Sequence, residues 1–233
     1  MATDGEGENS ARRRRELLER VRALAPGGER VLIGITGCPG AGKSTAAAWL
    51  ARTLDPAGRR AVWVPMDGFH LAQAELERLG RAHGKGAIDT FDGAGYRSLL
   101  DRIARERDRI VYAPAFDRRI EEPVAGSIPV FPQTEVVVTE GNYLLDAEEP
   151  WAGVRRALSE VWYCELDEPT RLARLAARHE RFGKSPEEAR AWIEAVDEPN
   201  ARRIRAARER ADLVLDVDAL GIGPEAAAPP HGR

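Results

Sequence analysis

At 233 residues the chain is long enough for one α/β domain with a substantial core, and a net charge of -3 gives no global reason to expect nucleic acid as a partner. Two cysteines, Cys38 and Cys164, make no disulfide framework and suit a reducing compartment. No apolar run approaches the roughly eighteen residues that a membrane span needs, and the arginine run at residues 12–15 precedes charged residues, so no secretory signal and no membrane are expected. We therefore expect a cytoplasmic protein.

The basic residues are strongly biased towards arginine, since only three of the 35 are lysines, namely Lys43, Lys85 and Lys184. Each of the three is next to a glycine. Such a bias makes the remaining lysines candidates for positions that need a compact ammonium rather than a planar guanidinium. Coincidence is an equally good account for Lys85 and Lys184 taken alone.

The N-terminal region combines a polar segment with one helical pattern. Residues 1–10 are polar and glycine-rich, which predicts a disordered N-terminus. Residues 12–25 have apolar side chains on one face, including Leu17, Val21 and Leu24, and this spacing predicts an amphipathic helix that Pro26 and the two following glycines end. We interpret the arginines of this helix as a solvated face rather than as a phosphate site.

The most informative segment follows this helix. An apolar, β-branched run at residues 31–36 is followed by Gly-Cys-Pro-Gly-Ala-Gly-Lys-Ser at 37–44 and then by a helix-forming stretch. This order of strand, G-x-x-x-x-G-K-S and helix is typical of a P-loop, because glycines let backbone N–H groups turn towards an anion at the helix N-terminus. The residues expected to bind the triphosphate of a nucleotide are Gly37, Cys38, Pro39, Gly40, Ala41, Gly42, Lys43, Ser44 and Thr45.

Two of these residues have specific expected roles. The ammonium of Lys43 would reach the β- and γ-phosphates, and the hydroxyl of Ser44 would ligate Mg²⁺. The alternative is a glycine-rich turn formed by chance. We disfavour it because the strand and the helix are both in register with the motif.

Two further predicted strands end at carboxylates. Residues 61–66 are predicted to form a strand that ends at Asp67, and residues 135–139 a buried parallel strand that ends at Glu140. In open α/β sheets the ligand lies beyond the carboxyl ends of the strands. A carboxylate there can hold Mg²⁺ or accept a proton from an attacking hydroxyl. The alternative is that each carboxylate only caps a loop.

Strand and helix patterns alternate along the rest of the chain. Strands are predicted at 160–166 and 212–217, with a short one at 111–113, and helices at 96–107, 169–181, 186–196 and 200–210. This alternation predicts an open, mostly parallel, five-stranded sheet covered by helices on both faces, in a single domain over residues 11–220. Residues 221–233, rich in alanine, proline and glycine, are predicted to be a disordered tail.

Five motifs occur in the order seen in small-molecule kinases. They are the P-loop, Met-Asp-Gly-Phe-His at 66–70, Asp-Thr-Phe-Asp at 89–92, Pro-Ala-Phe-Asp-Arg at 114–118 and Thr-Glu-Gly-Asn-Tyr at 139–143. On these motifs the chain, from about residue 30 to residue 217, resembles the phosphoribulokinase/uridine kinase family, in the nucleoside/nucleotide kinase-like branch related to pantothenate kinase. The resemblance implies a three-layer α/β/α P-loop NTPase fold with a helical lid. It also implies ATP and Mg²⁺ as cofactors, a small-molecule acceptor and a homo-oligomer.

The resemblance also implies roles for individual residues. Asp67 would be the general base for the acceptor hydroxyl, and Glu140 would help to order Mg²⁺. Asp89 would hold hydroxyl groups of the acceptor, and Phe116 and Arg118 would form one wall of the acceptor site.

The chain departs from uridine kinases near the acceptor site. It carries Gly68 and His70 where those enzymes carry a serine and a tyrosine, and it offers Glu121 where they carry a histidine. These differences disfavour uridine as the substrate. We interpret His70 as an acceptor-site residue rather than a metal ligand, because no second histidine has metal-site spacing.

A lid is expected at about residues 169–190. On a helix Arg171, Arg174 and Arg178 form one stripe beside an apolar stripe, so the apolar side can pack while the arginines face the phosphates. Arg178 would be catalytic, and Arg171 and Arg174 would bind the nucleotide. A solvated arginine face is the alternative. Asn200 is interpreted as a helix cap, with contact to the acceptor or to adenine left open.

The sequence therefore predicts an ATP-dependent kinase that transfers the γ-phosphoryl group to a hydroxyl of a nucleoside, a pantothenate-like molecule or a sugar. The alternative is a nucleotide-gated switch or slow NTPase without a small-molecule acceptor. No Asn-Lys-x-Asp guanine-reading motif and no cluster of cysteines and histidines occurs in the sequence, which disfavours that alternative.

Overall fold

Apolar, β-branched runs form the strands of a central sheet in the computed structural model, which describes residues 4–25 and 28–223. Five strands are parallel and lie in the order β2-β5-β1-β6-β7, and β3 and β4 form a separate antiparallel pair. The strands are β1 (Val31–Gly37), β2 (Ala61–Pro65), β3 (Val111–Asp117), β4 (Glu122–Val130), β5 (Val136–Glu140), β6 (Glu160–Glu165) and β7 (Leu213–Asp216).

Helices connect the strands and cover the sheet. They are α1 (Asp4–Ala23), α2 (Lys43–Leu54), α3 (Gln73–Arg78), α4 (Gly93–Arg105), α5 (Trp151–Ala157), α6 (Glu168–Arg181), α7 (Pro186–Trp192) and α8 (Glu198–Ala206). A π-helical segment, Ile193–Asp197, joins α7 to α8. No helix in the described ranges is both long enough and apolar enough to span a bilayer.

The sheet is buried on both faces, which explains why β1 and β5 consist of continuous apolar runs. Successive residues of a strand point to opposite faces. Val136 and Val138 accordingly pack with Leu17 and Leu50 of α1 and α2, whereas Val137 packs with Leu100 of α4 in a second cluster. The predicted three-layer α/β/α arrangement with five parallel strands is confirmed.

The N-terminus differs from the prediction. Helix α1 begins at Asp4, so the prediction of disorder is wrong for residues 4–10, while residues 1–3 lie outside the described residues. A tertiary contact joins this part of the helix to the segment after β7, because the hydroxyl of Ser10 donates to the carbonyl oxygen of Ala219 at 2.9 Å. Of the predicted tail, residues 224–233 lie outside the described residues, as do Pro26 and Gly27 of the predicted helix stop.

The hairpin of β3 and β4 was only partly predicted. The short strand at 111–113 continues to Asp117, and its partner β4 has no sequence signal because it contains Pro123, Gly126 and Pro129. A two-stranded ribbon tolerates proline, since each strand has one unpaired edge. The hairpin places Phe116 and Arg118 beside the end of β2.

Arg30 ties the start of β1 to two other elements. Its side chain is buried, and the guanidinium donates to five carbonyl oxygens, those of Ile103, Glu106, Phe131, Pro132 and Thr134. These carbonyls end α4 and form the turn before β5. The buried charge is thus solvated by the backbone, and removing it would leave several buried carbonyls without donors.

We predict that Arg30→Met lowers the free energy of unfolding by roughly 2–4 kcal/mol. Arg109→Met is the matched control, because Arg109 is exposed and pairs only with the adjacent Asp108, and it should change stability by less than about 0.5 kcal/mol. Urea denaturation followed by circular dichroism measures both. Equal midpoints for the two variants would contradict the anchoring role of Arg30.

Candidate active site

The phosphate loop between β1 and α2 is packed too closely for side chains at two of its glycines. Gly40 has φ 86°, and a Cβ there would lie 2.7 Å from the carbonyl oxygen of Arg171 in α6. A Cβ on Gly37 would lie 2.6 Å from the carbonyl oxygen of Cys164 in β6. The loop is therefore packed between the edge of the sheet and α6, and its backbone at these two positions requires glycine.

Lys43, the first residue of α2, is buried and bonds across the loop. Its ammonium donates to the carbonyl oxygen of Cys38 at 3.1 Å. Burial lowers the pKa of Lys43, and the negative charge of Glu140 partly opposes this shift. A buried ammonium inside a glycine-rich loop at a helix N-terminus fits a bound polyphosphate, whose negative charge would complete the site.

The side chain of Cys38 lies on the other side of the loop. Its Sγ is 3.4 Å from the hydroxyl oxygen of Tyr163 and is buried in the core. Cys38 therefore contributes its backbone to the loop, as the motif predicts, while its thiol packs behind it.

Asp67 and Glu140 come together at the carboxyl edge of the sheet. Asp67 lies in a single 3₁₀ turn, Met66–Phe69, that follows β2, and Glu140 ends the neighbouring strand β5, where it is in register with Pro65. Glu140 is buried, and burial together with the charge of Asp67 raises its pKa. Lys43 and Ser44 act in the opposite direction. The structure thus brings together the P-loop residues and both predicted carboxylates.

The oxygen donors at this edge of the sheet fit a Mg²⁺ ion that is bound mainly by water and phosphate. No group of three or more histidine, cysteine or acidic side chains suited to a metal occurs within residues 4–25 and 28–223. Mg²⁺ needs few protein ligands, because it keeps several waters and binds phosphate oxygens of the nucleotide. The hydroxyl of Ser44 could supply one direct oxygen ligand, and the neighbouring Glu140 carboxylate could accept from a metal-bound water.

Arg118 connects Asp67 to the hairpin and to the lid. Its guanidinium forms an ion pair with Asp67, with Nη2 and Oδ2 2.9 Å apart. The same guanidinium lies 5.3 Å from the ring centroid of Phe116 and 5.7 Å from that of Phe182, which follows α6. Sequence reasoning missed Phe182, because a single aromatic residue after a helix carries no signal of its own.

His70 lies between two aromatic rings on the same side of the site. Its ring centroid is 4.0 Å from that of Phe91 and 4.9 Å from that of Phe116. Nδ1 is 2.8 Å from the carbonyl oxygen of Asp67, and since a carbonyl only accepts, Nδ1 carries the proton. Burial lowers the pKa of His70, partly opposed by Asp67. The neutral ring therefore leaves Nε2 as a hydrogen-bond acceptor.

Asp89 lies in the loop between α3 and α4, in a 3₁₀ turn. Its carboxylate forms an ion pair with Arg81, a partner that the sequence did not indicate. About half of the Asp89 side chain is exposed. The carboxylate is therefore held by protein while part of it remains accessible to a ligand.

The three arginines of α6, the helix of the predicted lid, have three different environments. Arg171 is 2 % exposed and donates to the carbonyl oxygen of Pro39 at 2.9 Å. It also pairs with Glu168 and with Glu198 of α8. The prediction that Arg171 faces the phosphates is wrong, because all its donors are directed at protein groups that support the P-loop from behind.

Arg174 and Arg178, one turn apart on α6, have different surroundings. Arg174 pairs with Asp218, beyond β7, at 2.8 Å, and its contact with the nucleotide stays a prediction. Part of the Arg178 side chain is exposed to solvent. Desolvation by the protein around the guanidinium lowers its pKa, and the negative charges of Asp197 and Asp67 oppose this shift. Arg178 is therefore the lid arginine that the structure brings close to the carboxylates.

The end of the lid helix is fixed by one further contact. Nε2 of His179 lies 2.8 Å from Oδ2 of Asp197 in the π-helical segment, a kind of irregularity that is frequent near functional sites. Helix α8 begins at Glu198, so the interpretation of Asn200 as a helix cap is wrong. Its amide instead donates to the carbonyl oxygen of Gly86 at 3.4 Å, in the loop that holds Asp89.

Comparison with known proteins agrees with this geometry. A Schizosaccharomyces pombe protein described as a candidate uridine kinase is 38 % identical over 170 residues, which cover 70 % of this chain and 72 % of that protein. The chain belongs to the phosphoribulokinase/uridine kinase-like family of P-loop kinases. A solved structure of a Silicibacter sp. TM1040 protein, described as a candidate fructose transport system kinase, is 35 % identical, with a TM-score of 0.78 over 86 % of this chain and 97 % of that one.

Two other matches cover different shares of the chain. The pantothenate kinase of Leifsonia xyli subsp. xyli is 31 % identical over 217 residues, covering 81 % of this chain and 66 % of that protein. The family model for the methylmalonyl Co-A mutase-associated GTPase MeaB matches residues 3–69, less than a third of the chain. That stretch holds β1, the P-loop, α2 and β2, which P-loop proteins share. The predictions of a kinase, of its family and of its fold are confirmed.

We predict that Gly40→Ala weakens ATP binding at least about tenfold, because the added Cβ would push α6 away from the loop. Gly58→Ala is the matched control, since Gly58 also has a positive φ but a Cβ there would meet nothing within 4 Å. It should cost about 1 kcal/mol of stability and leave ATP affinity unchanged. Isothermal titration of both variants decides, and unchanged affinity in Gly40→Ala would refute the tight packing of loop and lid.

Proposed function

We propose that the chain transfers the γ-phosphoryl group of ATP to a hydroxyl group of a small-molecule acceptor, with Asp67 as the general base. The observation that carries this proposal is the position of the Asp67 carboxylate. It lies near Glu140 at the P-loop and pairs with Arg118 of the hairpin, and the backbone carbonyl of the same residue holds His70. A base between the phosphates and an aromatic-lined recess is placed for an acceptor hydroxyl.

The nucleotide side of the site is assigned to the P-loop. The backbone N–H groups of the loop and the ammonium of Lys43 hold the triphosphate in line with the acceptor. Ser44 and a water oriented by Glu140 would hold Mg²⁺, which when bound would neutralise charge on the phosphate oxygens. The carboxylate of Glu140, raised in pKa by burial, gains from a nearby cation because a positive charge favours its ionised form.

On the acceptor side, Asp67 orients the hydroxyl and takes its proton as the oxygen attacks. Arg118 already occupies Oδ2, so Oδ1 is the oxygen available to the hydroxyl. Nε2 of His70 and the carboxylate of Asp89 accept hydrogen bonds from further hydroxyl groups, and Phe116 forms a wall beside His70. These groups suit a nucleoside, a pantothenate-like molecule or a sugar.

The lid supplies charge stabilisation during transfer. Arg178 extends from α6 near Lys43 and Glu140, where a guanidinium stabilises the charge on the transferring phosphoryl group. Closure of the lid over this group excludes water and so suppresses hydrolysis of ATP. A homo-oligomeric state, a cytoplasmic location and a lid over residues 169–190 remain predictions.

The alternative, a nucleotide-gated switch, is favoured by one observation. The MeaB model describes a GTPase, and it matches residues 3–69. The match ends before Glu140, the hairpin and α6, which are the elements that build the acceptor side. We therefore place the switch second. ADP release that responds to none of a panel of nucleosides, pantothenate, ketoses and sugar phosphates would favour the switch over the kinase.

We predict that Asp67→Asn lowers acceptor-dependent turnover at least about 10³-fold and changes ATP affinity by less than about threefold, because the amide cannot take the proton. Asp117→Asn, at the end of β3 where the carboxylate pairs with the exposed Arg119, is the control and should retain turnover. ADP release with and without acceptor measures both variants. Comparable turnover by Asp67→Asn and the unmodified protein would remove Asp67 from the mechanism.

A second expectation concerns the metal. Ser44→Ala should reduce at least about tenfold the gain in ATP affinity that Mg²⁺ confers, because the hydroxyl ligand is lost. Ser98→Ala is the control, since the Ser98 hydroxyl bonds only to its own helix at Ala94. Titrations of ATP with and without Mg²⁺ test this without catalysis. An unchanged metal dependence in Ser44→Ala would exclude Ser44 as a ligand.

A further inference from the structure

The two lysines outside the P-loop both lie over aromatic rings on the acceptor side. Lys85 Nζ is 5.2 Å from the ring centroid of Phe116 and donates to the carbonyl oxygen of Glu121 at 2.6 Å. Lys184 Nζ is 4.6 Å from the ring centroid of Trp192. In a chain with only three lysines, this common arrangement points to positions where an ammonium has a specific use.

Lys184 lines a cleft that the proposed mechanism does not use. The cleft has a volume of about 560 Å³, a size typical of small-molecule sites. Its walls come from three parts of the chain and include His83, Phe182, Lys184, Glu188, Trp192 and Val196. They belong to the loop that holds Asp89, to the turn after α6, and to α7 with the π-helical segment.

The cleft is adjacent to the proposed base. Phe182 forms part of its wall, and the ring of Phe182 also contacts the guanidinium of Arg118, which pairs with Asp67. One aromatic side chain and one guanidinium therefore separate the cleft from the base. A molecule with its hydroxyl at Asp67 can extend past Phe182 into the cleft.

Lys184 is the group in the cleft wall that can bind an anion. It is half-buried and forms no ion pair within residues 4–25 and 28–223. The Glu188 carboxylate keeps its charge but does not pair with Lys184, because it turns to the start of α7 and accepts from the backbone N–H of Ser185 at 2.8 Å. The indole of Trp192 positions the ammonium from one side and cannot accept all three of its N–H donors, so the others remain for anionic oxygens.

We propose that this cleft binds an anionic group, a phosphate or a carboxylate, at the end of the acceptor distant from the hydroxyl that is phosphorylated. Lys184 pairs with the anion, Trp192 holds Lys184 in place, and Phe182 and Val196 pack against the body of the acceptor. The acceptor is thus a hydroxy acid or a sugar phosphate rather than a neutral sugar or nucleoside. This inference rests on the proposed kinase function.

Paired acceptors test the charge requirement. Fructose is compared with fructose 6-phosphate, and pantothenol with pantothenate, so that the phosphate and carboxylate arms are separate. For the anionic acceptor that the enzyme uses, Lys184→Gln should raise KM at least about tenfold and leave kcat and the KM for ATP within about twofold. Trp192→Leu should raise the same KM severalfold. Arg190→Gln, on the exposed side of α7 beside Glu187, is the control and should behave as the unmodified protein.

A binding measurement separates this inference from the proposed function. Fructose 6-phosphate and pantothenate are titrated calorimetrically into protein saturated with Mg²⁺ and a non-hydrolysable ATP analogue. Binding of one of them that Lys184→Gln abolishes supports the cleft even where no acceptor is phosphorylated, which would refute only the kinase. Binding of neither anion, equal binding by both proteins, or equal kinetic loss on the neutral and anionic partners overturns the inference.

Discussion

The guanidinium of Arg171 is the interaction on which the arrangement of the site depends. It lies beneath the P-loop, bonds to the carbonyl oxygen of Pro39, and is neutralised by Glu168 and Glu198. One buried cation therefore joins the loop to the lid helix and to α8. Because a buried charge is costly without its partners, these three elements are held in one mutual position, and the close contact of α6 with Gly40 follows from it.

A second cation, Arg118, links the proposed base to α6. Arg118 connects Asp67 to Phe116 of the hairpin and to Phe182 at the end of α6. A displacement of the lid would change the contact of Phe182 with Arg118, and through it the orientation of the carboxylate. The position of the proposed base is thus coupled to the same helix that Arg171 joins to the loop. Nucleotide and acceptor sides share α6 as their common support.

The sequence predicted those parts of the site that short-range patterns determine. The P-loop and the carboxylates at Asp67 and Glu140 could be placed because strand ends of a parallel sheet meet at one edge. The environment of Arg171 could not, because a helical stripe gives the direction of a side chain but not the neighbour it meets. The helix over residues 4–10 includes a contact between Ser10 and Ala219, which no local pattern contains.

The unequal use of arginine and lysine has a physical basis in this fold. Arginines form ion pairs along the surface and inside the frame, where a planar fork with several donors matches carboxylates. A guanidinium that is paired at both edges has few N–H donors left for a ligand. Lys43 and Lys184 instead present a compact ammonium fixed by a carbonyl or a ring on one side. Because the remaining N–H donors of an ammonium can rotate towards an anion, Lys43 and Lys184 suit the ligand-facing positions proposed for them.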